Sequence, residues 1–174
     1  CSYFGCDSIE VIGRFMAEHV EIINANGQLR AAVHSGDAEA LEAARSVVSG
    51  LLWPHTVAEV GLFQVMARDE AYASHIAGLC AEHESLGLHL AAITPGDSAA
   101  MALFENELRD HIDKEDNGLF PAAAIALGGA EWTEVHDITP HSHDGASPHV
   151  HPANPGQTHH GEPATAGQPS GSSL

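Results

Sequence analysis

The chain of 174 residues is poor in positive charge. It contains 6 Lys and Arg against 24 Asp and Glu, which gives a formal net charge of −18 at pH 7 with neutral His. Nucleic acids and anionic membrane surfaces attract basic patches, and a chain with so few cations has little with which to build one. We therefore expect neither nucleic acid nor a membrane among its partners.

Long apolar runs and a cysteine framework are also lacking. The longest apolar runs fall well short of the ~20 residues that span a bilayer, and no signal-peptide pattern is visible. The three cysteines, Cys1, Cys6 and Cys80, are odd in number and irregularly spaced. Such a set suits a reducing compartment, so we expect a cytoplasmic protein. Because the chain begins at Cys1, a targeting segment upstream remains open.

The three cysteines have different expected roles. Cys1 and Cys6 lie in the stretch "CSYFGC", within an N-terminal segment over residues 1–8. They are either two plain thiols or part of a truncated thiol or metal motif. Cys80 lies in an apolar pattern of helical spacing, so we expect it in the core.

Sustained alternation of apolar and polar residues is absent, which predicts no β-strands. Apolar residues instead recur at helical spacing over residues 9–34, 38–67, 69–93 and 98–127. Short loops make sequential helices antiparallel neighbours, so we predict an all-α, up-down-up-down four-helix bundle over residues 9–136. Gly50 and Pro54 predict a kink in the second helix.

Residues 137–174 differ in composition from the rest of the chain. They hold Pro, Gly and His, few large apolar residues and no periodic pattern. We predict a disordered C-terminal tail, which either binds divalent metal ions loosely or is simply solvated. Its histidines are His141, His143, His149, His151, His159 and His160.

Histidine is the abundant residue, with 14 copies in the chain. The stretches "HTVAE" at 55–59 and "HIDKE" at 111–115 each place a His four residues before a Glu, inside an apolar helical run. Residues i and i+4 share one face of a helix, so each pair points into the same space. His19 and His83, on the preceding helices, fall at similar heights when residues are counted from the turns. The predicted site is His19, His55, Glu59, His83, His111 and Glu115.

Two carboxylates in a core are costly unless a cation compensates them. Oxygen and imidazole donors without thiolate favour iron, manganese or zinc. Six ligands are too many for one tetrahedral zinc ion, whereas two metals would take two His each, with both Glu residues free to bridge. An added oxo, hydroxo or water bridge leaves one position on each metal for a small molecule. The alternative is a metal-free helical bundle in which both pairs are ordinary helical contacts.

This order of ligands, followed by "NGLFPAA", resembles a hemerythrin-like HHE cation-binding domain over roughly residues 9–127. The resemblance implies two non-haem irons joined by an oxo or hydroxo bridge. The sequence departs from the oxygen-carrying hemerythrins at Gly87, where they have a further His. Their fourth-helix carboxylate also lies five residues after its His, which is the position of Asp116 here; we favour Glu115. The set is similar to hemerythrin-like proteins linked to iron-centre repair, nitric oxide handling and peroxide breakdown.

Two functional hypotheses follow. In the first, the di-iron site binds or turns over nitric oxide, peroxide or dioxygen. If it turns over peroxide or nitric oxide, the protein is an oxidoreductase. In the second, the protein stores, senses or donates iron to an acceptor protein without catalysis, assisted by the His-rich tail. The sequence indicates no oligomeric state. Asp110 and Asp116 are candidate partners for the outer ring nitrogens of the ligands, whereas Glu18 and Glu84 are expected in solvent.

Overall fold

The computed structural model describes residues 8–140, and all regular structure within that range is helical, which confirms the all-α class. A π-helical segment, Glu115–Leu119, joins α4 to α5. The helices are α1 Glu10–Ser35, α2 Ala38–Met66, α3 Glu70–Ala92, α4 Ser98–Lys114, α5 Phe120–Ala126 and α6 Gly129–Ile138. Cys1, Cys6 and the tail histidines from His141 onward lie outside the described residues.

Aspartate caps set the starts of three long helices. The side chains of Asp37, Asp69 and Asp97 accept backbone N–H groups in the first turns of α2, α3 and α4. α1 ends at Gly36, whose φ of 70° is the left-handed conformation that closes a helix. These helix ends lie close to the predicted ones, and the connections between the four long helices are short.

The four long helices contact one another around a ring. α1 packs on α2 and α4, and α3 packs on the same two helices. Their buried apolar residues form two clusters, one around Phe15, Leu62 and Phe120 and the other around Leu29 and Phe104. Each long helix passes from one cluster to the other through a short stretch that carries His19, His55, His83 or His111, so a polar layer lies between the two clusters.

Two regions differ from the sequence prediction. The predicted fourth helix, 98–127, is interrupted by the π-helical segment, in which the N–H of Phe120 bonds to the carbonyl of Glu115. Beyond residue 127, where no helix was predicted, α6 forms a ten-residue helix that packs on α2. α2 remains helical through Pro54.

Cys80 corrects another expectation, because it is exposed rather than buried. The inward face of α3 passes through Ile76, Leu79 and Leu86, which are buried. Cys80 follows Leu79 directly and therefore falls at the edge of that face, beyond the apolar stripe.

None of the helices within residues 8–140 has both the length and the apolar character that a bilayer-spanning helix needs.

Gly61 controls how closely α6 docks on α2. A Cβ at this position would lie 2.8 Å from Thr139 Oγ1 and 3.1 Å from Ile138 Cγ1. We expect Gly61→Ala to lower the free energy of unfolding by about 1–3 kcal/mol, because the C-terminal end of α6 must move. Urea unfolding followed by circular dichroism measures the change.

Gly50→Ala is the matched control, since it lies in the same helix and a Cβ there meets nothing within 4 Å. It should raise the free energy of unfolding by up to about 1 kcal/mol through helix propensity. Equal effects of the two substitutions would contradict the tight docking of α6.

Candidate metal centre

The six predicted ligands converge in the polar layer between the two apolar clusters. Glu59 and Glu115 are fully buried, and His19, His55 and His111 are nearly so. The residues form two groups whose possible ligand atoms all lie within 4.8 Å of one another, and both groups include both carboxylates. One group adds His19 and His55, and the other adds His83 and His111.

Each carboxylate reaches histidines of both groups. Glu59 Oε1 lies 3.2 Å from His55 Nε2, and its Oε2 lies 3.3 Å from His83 Nε2. Glu115 Oε2 lies 3.2 Å from His19 Nε2 and 3.4 Å from His111 Nε2. The carboxylates therefore occupy the space between the two pairs of imidazoles, where bridging ligands would lie.

Six interior atoms of this cluster have no hydrogen-bond partner, while His83 Nε2 and His111 Nε2 lie within hydrogen-bond distance of each other at 3.0 Å. All four carboxylate oxygens of Glu59 and Glu115, together with Nε2 of His19 and of His55, are buried and unpartnered. Buried polar atoms are nearly always hydrogen-bonded, and leaving them unsatisfied is costly. Inward-facing oxygen and imidazole nitrogen atoms without hydrogen-bond partners fit multivalent cations that prefer such ligands.

Three of the imidazoles have a carboxylate within hydrogen-bond distance of their outer ring nitrogen, Nδ1. Asp116 Oδ1 lies 2.9 Å from His19 Nδ1, and Glu18 Oε2 lies 2.8 Å from His55 Nδ1. Glu82 Oε2 lies 3.0 Å from His111 Nδ1. With Nδ1–H donating to a carboxylate, each ring directs the lone pair of Nε2 inward, as a metal ligand requires.

Two of these outer partners correct or extend the sequence analysis. Asp116 is one of the two expected candidates, whereas Asp110 makes no contact with a ligand His. Glu18 was expected in solvent, which is wrong, and Glu82 was not considered. Each lies beside a ligand His in sequence but reaches the His of the next helix, a contact that single-helix geometry does not reveal.

Cations keep the outer carboxylates ionised. Arg14 Nε donates to Glu18 Oε1 at 2.8 Å, and Lys114 donates to Glu82. Burial raises the pKa of both carboxyl groups, but their histidine and cation partners outweigh it and lower the pKa. Glu18 and Glu82 therefore remain hydrogen-bond acceptors for the ring N–H groups.

Protons compete with cations for the inner nitrogens. Burial disfavours charged imidazole, but Asp116 and Glu115 raise the pKa of His19 to about 9. Glu59 and Glu18 likewise raise the pKa of His55 to about 10. Burial raises the pKa of Glu115, and the nearby Glu59 raises it further. A cation that binds here must displace protons from His19 and His55.

An internal repeat explains the arrangement and supplies the signal that the sequence analysis missed. The stretch "AEH" occurs at 17–19 in α1 and at 81–83 in α3, and "GLF" occurs at 61–63 and 118–120. Phe63 stacks on His83 with ring centroids 5.5 Å apart, and Phe120 stacks on His19 at 5.8 Å. The α1–α2 pair and the α3–α4 pair are thus two versions of one unit, each with a Glu-His on one helix and a His-x-x-x-Glu on the next.

The repeat is inexact by one residue. Phe63 lies four residues after Glu59, whereas Phe120 lies five residues after Glu115. The π-helical segment Glu115–Leu119 absorbs the additional residue without breaking the helix, as such segments do near functional sites. It also places Asp116 behind His19, while Glu115 faces the interior.

Comparison with known proteins gives one match, and it covers all six predicted ligands. A family model, the hemerythrin HHE cation binding domain, matches residues 10–123. No curated protein and no solved structure matches the chain.

Proposed function

Because the chain belongs to the hemerythrin HHE cation-binding domain family, we propose that it binds iron as a pair of non-haem ions between its helices. The observation that carries this proposal is the sharing of Glu59 and Glu115 by two groups of ligand atoms. A single ion would not use six inward donors divided in this way. The proposed architecture around it is the up-down-up-down bundle, which the ring of contacts among α1–α4 and the short loops support.

In this proposal each ion has two imidazoles of its own. His19 and His55 would hold one iron, His83 and His111 would hold the other, and Glu59 and Glu115 would be shared by both ions, with an oxo or hydroxo group as a further ligand. Iron in such a site supplies redox chemistry and positions for a small ligand. The chain's own contribution is to orient the rings through Glu18, Glu82 and Asp116 and to exclude bulk water with the apolar clusters on both sides.

We infer that the protein binds or turns over a small ligand such as nitric oxide, peroxide or dioxygen. The burial of five of the six donors supports this function, since a dry site of fixed geometry is what reactions at a metal require. The second candidate is a protein that stores, senses or donates iron to an acceptor protein. The seven histidines from His136 onward favour it, because His-rich tracts bind metal ions.

Metal analysis and an optical spectrum test the di-iron proposal directly. Full-length protein from iron-replete cells should contain about two irons per chain and show the near-ultraviolet absorption of an oxo-bridged ferric pair. Fewer than about one iron per chain would contradict it. Rapid peroxide disproportionation or nitric oxide reduction would favour turnover, whereas stoichiometric iron transfer to an apo-acceptor without turnover would favour the donor.

The outer carboxylates provide a graded prediction. Glu18→Gln and Glu82→Gln should each weaken metal binding by about 10–100-fold, because the ring behind each loses its ionised acceptor and its fixed tautomer. Titration of the metal-free protein with cobalt(II), followed by absorbance, measures the affinity. Glu84→Gln is the control, since Glu84 directly follows His83 yet is exposed. A loss of affinity as large in the control would show that general surface charge, not ring orientation, is responsible.

A further inference from the structure

The two halves of the metal centre are not equally enclosed. The side chain of His83 is 13% exposed, whereas those of His19, His55 and His111 are each 2% exposed. Within residues 8–140, no carboxylate lies within 4 Å of His83 Nδ1, although the other three rings each have one behind them. His83 is therefore the ligand with the fewest restraints on its orientation.

The internal repeat shows where this difference arises. Asp116 directly follows Glu115 and contacts His19, but the residue that directly follows Glu59 is Val60. Valine has no side-chain acceptor for a ring N–H, and Val60 is 42% exposed. The half of the centre that contains His83 thus lacks the outer carboxylate that Asp116 provides in the other half.

A cavity lies against this same histidine. It has a volume of about 130 Å³ and is formed between α2 and α3, with Ser49, Leu52 and Trp53 on one side and His83 and Gly87 on the other. Gly87 lies one turn after His83 on the same helix, and a Cβ there would meet nothing within 4 Å. The space beside the ligand His is therefore open as far as the surface residues of α3.

The other half has no glycine at the matching position. Four residues after His19 stands Ile23, which is partly buried and packs against the apolar cluster around Leu29 and Phe104. In the half that contains His19, the branched side chain of Ile23 fills this position. In the half that contains His83, Gly87 leaves the position open. Gly87 is thus one difference between the two repeats that leaves this space unfilled.

The walls of the cavity indicate what it admits. Arg45 supplies positive charge: its guanidinium donates to the carbonyls of Ala91 and Ile93, and its Nε is buried without a hydrogen-bond partner, 3.7 Å from Glu42. Leu52 and Leu90 make the inner wall apolar. A volume of this size with one cation and apolar walls suits a neutral or singly negative molecule of two or three heavy atoms better than a cation.

We propose that this cavity is the access route and binding position of the exogenous ligand, and that the ligand binds to the metal held by His83 and His111. This inference rests on the di-iron site proposed above. It makes the two ions unequal: the one held by His19 and His55 is enclosed, and the one beside Gly87 is reached from solvent.

Azide binding tests the route, because azide is a linear anion of three atoms that gives a coloured complex with ferric iron. Full-length protein loaded with two equivalents of iron and oxidised in air is mixed with azide in a stopped-flow absorbance experiment. Gly87→Ile, which restores the residue type of the other half, should lower the association rate by at least about tenfold. Gly78→Ile is the matched control on α3, since a Cβ at Gly78 also meets nothing within 4 Å and Gly78 does not line the cavity.

The outcomes separate the route from the site itself. Full iron content with an unchanged association rate in Gly87→Ile, and in the bulkier Gly87→Phe, would overturn the route and leave the di-iron proposal intact. Absence of iron from the unmodified protein would overturn both. A crystal structure of the azide complex gives an independent readout: azide on the metal beside His83 supports the inference, and azide on the metal beside His19 refutes it.

Discussion

The double substitution Glu59→Gln, Glu115→Gln is expected to abolish iron binding and yet leave a protein that folds at least as well without metal. Both carboxylates are fully buried, and none of their four oxygens has a hydrogen-bond partner. In the metal-free protein the raised pKa values of His19 and His55 allow protonated imidazoles to compensate these carboxylates, but burying such ionic groups remains costly. With metal they are the two ligands common to both ions, so their loss removes the link between the two halves.

The expected magnitudes are opposite in sign for the two forms. Iron content should fall from about two per chain to below about 0.2, because an amide brings no negative charge and is a far weaker bridging ligand than a carboxylate. The metal-free variant should unfold with a free energy that is unchanged or higher by about 1–4 kcal/mol, the range found when a buried ion pair is replaced as a whole by uncharged groups, because His19 and His55 become neutral once both carboxylates are gone. Metal analysis and urea unfolding in the presence of a chelator measure the two quantities.

A matched control keeps the change in net charge the same. Glu21→Gln with Glu84→Gln removes two exposed carboxylates that lie within two residues of His19 and His83. This variant should retain full iron content. If the buried pair retained iron as well, or if its metal-free form unfolded far more easily than the unmodified chain, the assignment of Glu59 and Glu115 as bridging ligands would be wrong.

Metal loading should give the second large effect, a rise in thermal stability. A ligand that binds only the folded state at a hundred times its Kd adds about 2.7 kcal/mol per site, so two sites add about 5 kcal/mol. For a helical unit of this size the midpoint should rise by about 10–20 °C. The ligands come from α1, α2, α3 and the end of α4, so bound ions would tie all four long helices together.

Differential scanning calorimetry with and without added ferrous iron, under anaerobic conditions, measures this shift. A chelator should reverse it, and the Glu59→Gln, Glu115→Gln variant should show none. An equal midpoint for the loaded and metal-free forms of the unmodified protein would favour the alternative of a bundle whose stability does not involve metal.

The sequence predicted the parts of this molecule that depend on local periodicity. Helical spacing of apolar residues located the four long helices, and i,i+4 spacing with matched heights grouped His19, His55, Glu59, His83, His111 and Glu115. These six residues meet in the structure, while their role as ligands stays a prediction. Both successes come from the regular rise and turn of an α-helix, which can be counted without knowing the tertiary structure.

Contacts between helices were harder to predict. Glu18 was expected in solvent because it lies off the face of its own ligand His, and no role was predicted for Glu82. Only the packing of α1 on α2 and of α3 on α4 brings these two carboxylates to the neighbouring rings. The π-helical segment also escaped prediction, since its cause is a one-residue difference between two distant stretches. Comparing "VGLF" at 60–63 with "DNGLF" at 116–120 would have exposed it.

That one-residue difference has a consequence for how such a protein is built. Two copies of one helical pair supply equivalent ligands, so the simplest product is a centre with two interchangeable ions. An insertion that a helix can accommodate as a bulge changes what stands behind one histidine while leaving every ligand in place. Two repeats can therefore supply equivalent ligands and still give two unequal ions, and deletion of Asn117 would show how much of that inequality comes from the additional residue.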